Sequence, residues 1–187
     1  MTNRSRSARR AFALGFAALP LGIARAADDS MRANPPTDRE GISQRAAAIH
    51  QEVLFAASAE RLYRLLTKAD EFDRVVRASA AAGAVLQPGA PPTRIEDVVG
   101  TPFQLFGGYL SGRQIELVAG ERIVRVWRAA SWEAGRFSLA TFVLRPEGTG
   151  TRLVLDHRAF PDDQAEHLAS GWKANYWEPI EKVLRAR

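Results

Sequence analysis

Any fold for this chain must accommodate the stretch Gly171-Trp172-Lys173-Ala174-Asn175-Tyr176-Trp177-Glu178-Pro179-Ile180. It puts three large aromatic side chains within six residues. Aromatic side chains bury more area per residue than any others, so a helix loaded this way needs a broad apolar partner. The helix is expected from about Asp163 to Arg185, with Leu168, Trp172, Tyr176, Ile180 and Val183 or Leu184 along one face. Asp163 followed by Glu166 has the pattern of a helix start. Gly171 and Pro179 sit badly in a helix interior, costing about 1 and about 3 kcal/mol against alanine. Pro179 also removes one backbone donor, so a kink or break is expected near Tyr176.

The upstream chain supplies the partner. Strand candidates run over 93–99, 103–106, 112–118, 122–130, 136–145 and 152–159, with turn signals at Gly107-Gly108, Ala119-Gly120, Ala134-Gly135 and Glu147-Gly148-Thr149-Gly150. Short connections between successive strands imply hairpins, and hairpins imply an antiparallel sheet. Some strands are apolar on both parities, Ile123 and Trp127 against Val124 and Val126 for example, which leaves the inward face open. Ahead of the sheet a first strand is expected over 46–56. Ser58 then caps a helix beginning Ala59-Glu60, with Leu62, Leu65 and Leu66 on one face. A second short helix is expected from Ala69 to Val76, burying Phe72, Val75 and Val76. Residues 78–92 are alanine-rich and then proline- and glycine-rich, which is loop chemistry.

The first residues read as an address. Arg4, Arg6, Arg9 and Arg10 precede a weakly apolar run from Phe12 to Ile23, and Ala24-Arg25-Ala26 is a small-x-small cleavage site before Ala27. Arg9-Arg10-Ala11-Phe12 resembles the twin-arginine export signal, with Ala8 where that signal has serine or threonine. Contact with that export machinery through Arg9 and Arg10, and a periplasmic or secreted bacterial protein, are the expectations. The apolar run is about twelve residues where a bilayer span needs about twenty, so no stable membrane insertion is expected after cleavage. Residues 27–45, polar around Asn34-Pro35-Pro36-Thr37, read as a disordered linker, and 46–187 as one domain. Without the leader's five arginines the 26 basic residues fall to 21, equal to the 21 acidic ones. The basic balance therefore belongs to the leader, and no nucleic-acid surface is expected. The chain has no cysteine, so no disulfide framework is possible.

Catalytic and metal chemistry find little support. His50, His157 and His167 lack ligand spacing and an acidic cluster, so neither a metal site nor a cofactor is expected. Asp156 and His157 are strand neighbours pointing to opposite faces, and His157 reads as a hydrogen-bonded sheet residue rather than a general base. There is no Gly-x-Ser-x-Gly elbow, and Gly107-Gly108 is a tight turn rather than a phosphate loop. No residue is assigned a catalytic role. Arg113, Glu116, Arg125 and Arg128 fall in adjacent strands and are expected to pair across a solvated face. The alternative places one of these arginines at a cavity mouth, holding a carboxylate or phosphate.

Several elements together carry a resemblance. Gly112-Arg113-Gln114-Ile115-Glu116-Leu117-Val118, Arg122-Ile123-Val124-Arg125-Val126-Trp127-Arg128, Trp132-Glu133-Ala134-Gly135, Gly150-Thr151-Arg152-Leu153, Phe160-Pro161 and Gly171-Trp172 with Tyr176-Trp177-Glu178-Pro179 are the residues concerned. They resemble the activator of heat-shock-protein-90 ATPase homologue family, of the START-like, helix-grip (SRPBCC) superfamily, over roughly Ile49 to Leu184. The resemblance implies an α+β helix-grip fold: a strand, two small helices, and a curved antiparallel sheet around a long C-terminal helix. It also implies an apolar cavity between sheet and helix. Tyr109, Trp127, Phe142, His157, Trp172 and Tyr176 are the candidate lining residues, with Trp132 and Trp177 completing the aromatic inventory.

The co-chaperones that named the family have a separate N-terminal domain that engages the chaperone. The corresponding part here reads as leader and linker, so ATPase activation is not expected to carry over. The first expectation is an exported, non-catalytic protein holding an apolar or amphipathic small molecule. A polyketide cyclase- or dehydratase-like enzyme is the alternative, and needs a titratable group such as His157, Tyr109 or Tyr176 in the cavity. A chaperone-linked protein-interaction module is a further one, and needs an exposed apolar patch on the outer face of the sheet.

Overall fold

The computed structural model describes residues 48–186; the leader, its cleavage at Ala26-Ala27 and the linker lie outside the described residues. The order is β1 (Ala48–Phe55), α1 (Ala59–Thr67), α2 (Ala69–Ala78), α3 (Ala82–Val85), β2 (Pro102–Leu105), β3 (Leu110–Val118), β4 (Arg122–Ala129), β5 (Ser138–Glu147), β6 (Gly150–Arg158), α4 (Ala165–Trp172) and α5 (Glu178–Arg185). A 3-10 turn (Asp162–Gln164) precedes α4, and a π-helical turn (Lys173–Trp177) joins α4 to α5. The strands form one antiparallel sheet in the order β1-β6-β5-β4-β3-β2.

Burial along β4 resolves which parity faces inward. Ile123, Arg125, Trp127 and Ala129 are buried, and Val124 and Val126 are half-buried on the outer face. Phe142 and Leu144 of β5, and Leu153, Leu155 and His157 of β6, continue the inner face. Between Gln114 and Glu116 a bulge places two residues of β3 opposite one of β4, so Gln114 points inward and Glu116 outward. Helices α1 and α2 fill one end of the concave side. Ser58 Oγ accepts the Arg61 N–H at 3.2 Å, and Leu62, Leu65, Leu66, Phe72, Val75 and Val76 are fully buried.

Three expectations change. Residues 93–99 make no strand: Arg94 pairs with Gln104 in a single bridge, and Val98 and Val99 are exposed. The edge strand β2 is four residues long and offers no ladder beyond that pair among the described residues. Asp163 does not cap α4. Pro161 accepts the Gln164 N–H at 3.0 Å in the 3-10 turn, and Gln164 precedes the helix without a side-chain cap.

Ion pairing among Arg113, Glu116, Arg125 and Arg128 is absent too. Arg113 donates to the Gly100 carbonyl, Arg128 to the carbonyls of Trp132 and Glu133, and Glu116 pairs with Arg122. The bulge sets Glu116 beside Arg122, and the pleat of β4 turns Arg125 inward.

The C-terminal helix bends by changing its winding. An uninterrupted α-helix drifts about 40° with each four-residue step, so Leu168 and Ile180 would end about 120° apart. Yet Leu168, Trp172, Tyr176, Ile180 and Val183 are all buried. The wider turn over Lys173–Trp177 absorbs part of that drift, and the Glu178 N–H reaches back to the Lys173 carbonyl. Pro179 then falls at the start of α5, where its missing donor costs least. The turn also frees the Ala174 carbonyl, which accepts the Ala80 N–H at 3.3 Å, while Asn175 Oδ1 accepts the Ala81 N–H at 3.0 Å. These bonds tie the helix to the segment joining α2 and α3.

Candidate functional site

Three walls built from distant parts of the chain meet beside the last helix. After β2 the backbone turns through Phe106, Gly107 and Gly108 at φ of 53°, 61° and 87°. Glycine enters that region freely, whereas a phenylalanine held there costs on the order of 1–3 kcal/mol. A Cβ at Gly107 would also collide with the Val85 carbonyl. The turn carries the Phe106 ring inward, 5.8 Å from the ring of Phe72 and 5.6 Å from that of Tyr176. The second wall is the end of β4, where Trp127 stacks on Trp132 at 5.2 Å. The third is the helix, with Trp172 and Tyr176 at 4.4 Å between ring centroids.

Between the walls lies a half-open cleft of about 110 Å³, closed on one side by Ala81 and Val85 and edged along the helix by Gln164, His167, Leu168, Gly171 and Asn175. Tyr109 also lines it and is 43% exposed, its hydroxyl 3.2 Å from Ser131 Oγ. A Cβ at Gly171 would touch nothing among the described residues, so packing does not require the glycine at the cleft edge.

Of the six residues nominated from the sequence, Tyr109, Trp127, Trp172 and Tyr176 line this cleft, and Phe142 and His157 do not. Phe142 packs edge-on against Trp172 at 5.6 Å. His157 is fully buried on the inner face of β6, where it accepts the Trp172 Nε1–H at Nδ1 (3.1 Å). An indole can only donate, so the imidazole proton sits on Nε2 and is given to Ser138 Oγ at 2.7 Å. Ser138 in turn donates to the Trp127 carbonyl at 3.1 Å. Burial without a charged partner lowers the His157 pKa to about 4, which keeps the ring neutral. His157 is thus a positioning residue for Trp172. Its strand neighbour Asp156 faces outward and pairs with His50 at 3.0 Å.

Sequence reasoning missed Phe106, named Arg125 only among four residues expected to pair on a solvated face or, alternatively, to supply one anion-holding arginine, and left Trp132 outside the nominated set. Phe106 had one signal, its place just before Gly107-Gly108. Arg125 is 1% exposed, in the same inward row as Trp127. Its Nη2 donates to the Leu66 carbonyl at 2.9 Å, and its guanidinium lies 5.4 Å from the Phe103 ring centroid and 5.1 Å from that of Phe142. No carboxylate pairs with it among the described residues. Burial lowers its pKa to about 10, so it stays charged at neutral pH. Three buried polar atoms have no hydrogen-bond partner among the described residues: Arg125 Nε, Trp127 Nε1 and Gln114 Oε1.

The cleft is lined mainly by aromatic and aliphatic side chains. Its titratable lining residues are Tyr109, His167 and Tyr176, and His157 lies behind Trp172. Among the described residues no group of three His, Asp or Glu converges on a metal position, and no helix is long and apolar enough to cross a membrane. On the outer face of the sheet, Val124, Val126 and Val143 are half-buried and Leu139 is 38% exposed, flanked by Arg113, Arg122 and Arg145.

A model of the family described as "Activator of Hsp90 ATPase homolog 1-like protein" matches residues 56–185. The chain belongs to that family. Mouse "Activator of 90 kDa heat shock protein ATPase homolog 2" is 25% identical over 144 residues, which are 77% of this chain and 40% of that protein. The chain thus spans well under half of that relative. An HSP90 activator from Plasmodium falciparum superposes with a TM-score of 0.59 at 23% identity, over 74% of this chain and 95% of that one. An Aha1 from Colwellia psychrerythraea, solved as a dimer, superposes with a TM-score of 0.58 at 16% identity, over 75% of this chain and 97% of that one. At these identities the structures carry the helix-grip fold and nothing finer.

Proposed function

We propose that this family member is a small-molecule binding protein whose site is the aromatic cleft. It takes one planar apolar group and leaves the rest of the ligand near Tyr109 and solvent. The observation behind this reading is convergence: Phe106, Trp127, Trp132, Trp172 and Tyr176, from separate parts of the chain, wall one half-open space of about 110 Å³. Ligand pockets commonly measure about 300–1,000 Å³, and an enclosed apolar cavity of about 150 Å³ accepts benzene. The cleft is therefore scaled to a single ring, not to a whole polyketide, which favours binding over cyclase-like chemistry.

Gly171 supplies a test that leaves the core alone. Ligand-observed NMR with single-ring probes such as indole and benzamide is expected to detect binding to the wild type. Gly171→Leu, which fills the edge where no neighbour packs, should keep the fold and abolish the signal. Equal binding by the variant would place the site elsewhere.

Export is part of the same proposal, supported by Arg9-Arg10, the short apolar run and Ala24-Arg25-Ala26. N-terminal sequencing of the extracytoplasmic fraction should begin at Ala27, and Arg9→Lys with Arg10→Lys should retain the precursor in the cytoplasm.

A protein-interaction role has separate support in the half-buried valines and Leu139 on the outer sheet face. Light scattering with Leu139→Asp tests it: a self-association that the substitution abolishes would support it, and a monomeric wild type would remove its basis for self-pairing.

A further inference from the structure

Arg125 and Trp127 are consecutive inward positions of β4, and each holds a buried N–H without an acceptor among the described residues. A charge taken out of water is costly unless an opposite charge or a full set of hydrogen bonds meets it. The two phenyl faces and the Leu66 carbonyl around Arg125 offset part of that cost but bring no negative charge. Gln114, the cross-strand partner of Arg125, has its Oε1 unbonded, and it too can offer only a dipole.

Phe142 connects this buried cation to the cleft: the Arg125 guanidinium lies 5.1 Å from its ring, which packs edge-on at 5.6 Å against Trp172 on the cleft wall. Tyr176, one turn on from Trp172, also lines the cleft and is buried. Burial raises its phenol well above the ordinary value, while the positive charge of Arg125 draws it back down. The unpartnered donors nearest the cleft are thus the Trp127 indole N–H, on a residue that lines it, and the Arg125 guanidinium two residues back in the same inward row, with the Tyr176 phenol on the facing helix. Each of them can donate, and one carries an uncompensated positive charge.

We propose that the cleft selects an anionic planar ligand, a small aromatic or unsaturated carboxylate, whose charged oxygens are held by Trp127 Nε1–H and the Tyr176 hydroxyl with Arg125 as the buried counter-charge. This rests on the cleft reading above and adds the ligand's charge to it. The apolar walls hold the ring, and these donors hold the carboxylate. No covalent step is involved.

Benzoate and benzamide share shape and differ in charge. Titrating each into ¹⁵N-labelled protein and following the indole resonances of the four tryptophans reads the contact directly. The Trp127 indole signal is expected to move with benzoate at a concentration at least about tenfold lower than with benzamide, as a charge-assisted bond implies. Arg125→Met should erase the preference, so that the two probes bind alike. If that variant does not fold, Tyr176→Phe keeps the ring and removes only the hydroxyl, and the preference should fall several-fold. Equal binding by the wild type would overturn the proposal and leave the cleft reading standing. A preference that survives both substitutions would overturn it as well. Failure of both probes to move any cleft resonance would defeat the cleft reading itself.

Discussion

His157 and Arg125 both point inward from the sheet and are both fully buried, yet they meet burial in opposite ways. His157 can shed its charge. It does so, and both ring nitrogens are then used, one as acceptor for Trp172 and one as donor to Ser138. Arg125 cannot shed its charge at neutral pH, and its Nε is left without a partner among the described residues. A buried group that can adjust its protonation becomes part of the packing, whereas one that cannot leaves an electrostatic demand open. The histidine region is closed, and the arginine region is one negative charge short.

Substitutions can break that contrast in order of size. Trp172 packs against the His157 side and the cleft together, so Trp172→Ala should cost about 3–5 kcal/mol in urea unfolding, and a loss under about 1 kcal/mol would refute its central packing role. The next effect is one of pH. The folded-state pKa of His157 is about 4 against an ordinary value of 6.5, so between those values the unfolded chain binds a proton that the folded chain does not. Stability from this group is therefore intact above pH 6.5 and should fall by about 3 kcal/mol as the pH drops to 4.

His50, raised by Asp156 and Glu52, acts in the opposite sense: its contribution is present at low pH and lost as the pH rises through its folded value. The difference between wild type and His157→Gln cancels it and isolates the buried ring. A flat difference curve from pH 7 to 4 would contradict the neutral, hydrogen-bonded assignment.

Arg125→Met should move stability the other way, by about 1–2 kcal/mol upward, because a shape-matched apolar side chain removes the desolvated charge. A comparable loss in thermal unfolding would instead mean that the Leu66 carbonyl bond and the stacking on Phe103 and Phe142 outweigh the desolvation of the guanidinium. The smallest effect belongs to Gly171→Ala at the cleft edge, a gain of about 0.5–1 kcal/mol from helix propensity alone. Any destabilisation there would show that the open space beside Gly171 is not free.

Much of the fold was legible because it rests on local chemistry. Ser58 before Ala59-Glu60, glycines at the hairpin turns, and aromatics at helical spacing each act over a few residues and do not wait for tertiary context. Residues 93–99 misled because β propensity says nothing about whether a neighbouring strand exists to pair with. Arg125 misled for a related reason. β4 is apolar on both parities, and only the choice of inward parity decides whether an arginine between two valines faces water or the core. Of the aromatic residues lining the cleft, Tyr109, Trp127, Trp172 and Tyr176 were nominated in advance and Phe106 and Trp132 were not, and the division of the nominated set into lining and backing was not legible. His157 and Trp172 became layers of one wall through a hydrogen bond between residues on a strand and a helix.

The π-helical turn has a consequence for how this helix tolerates change in length. It holds one more residue per turn than the segments around it, a surplus stored between α4 and α5. Removing a single residue from 173–177 would let the segment revert to regular winding. Everything beyond it would then swing by about 100° relative to Trp172, carrying Ile180 and Val183 off the core. Each half of the helix would still be a sound amphipathic segment, and the two could no longer be buried together. For this chain, the spacing between the aromatic half and the aliphatic half is as much a determinant of the fold as the identity of either.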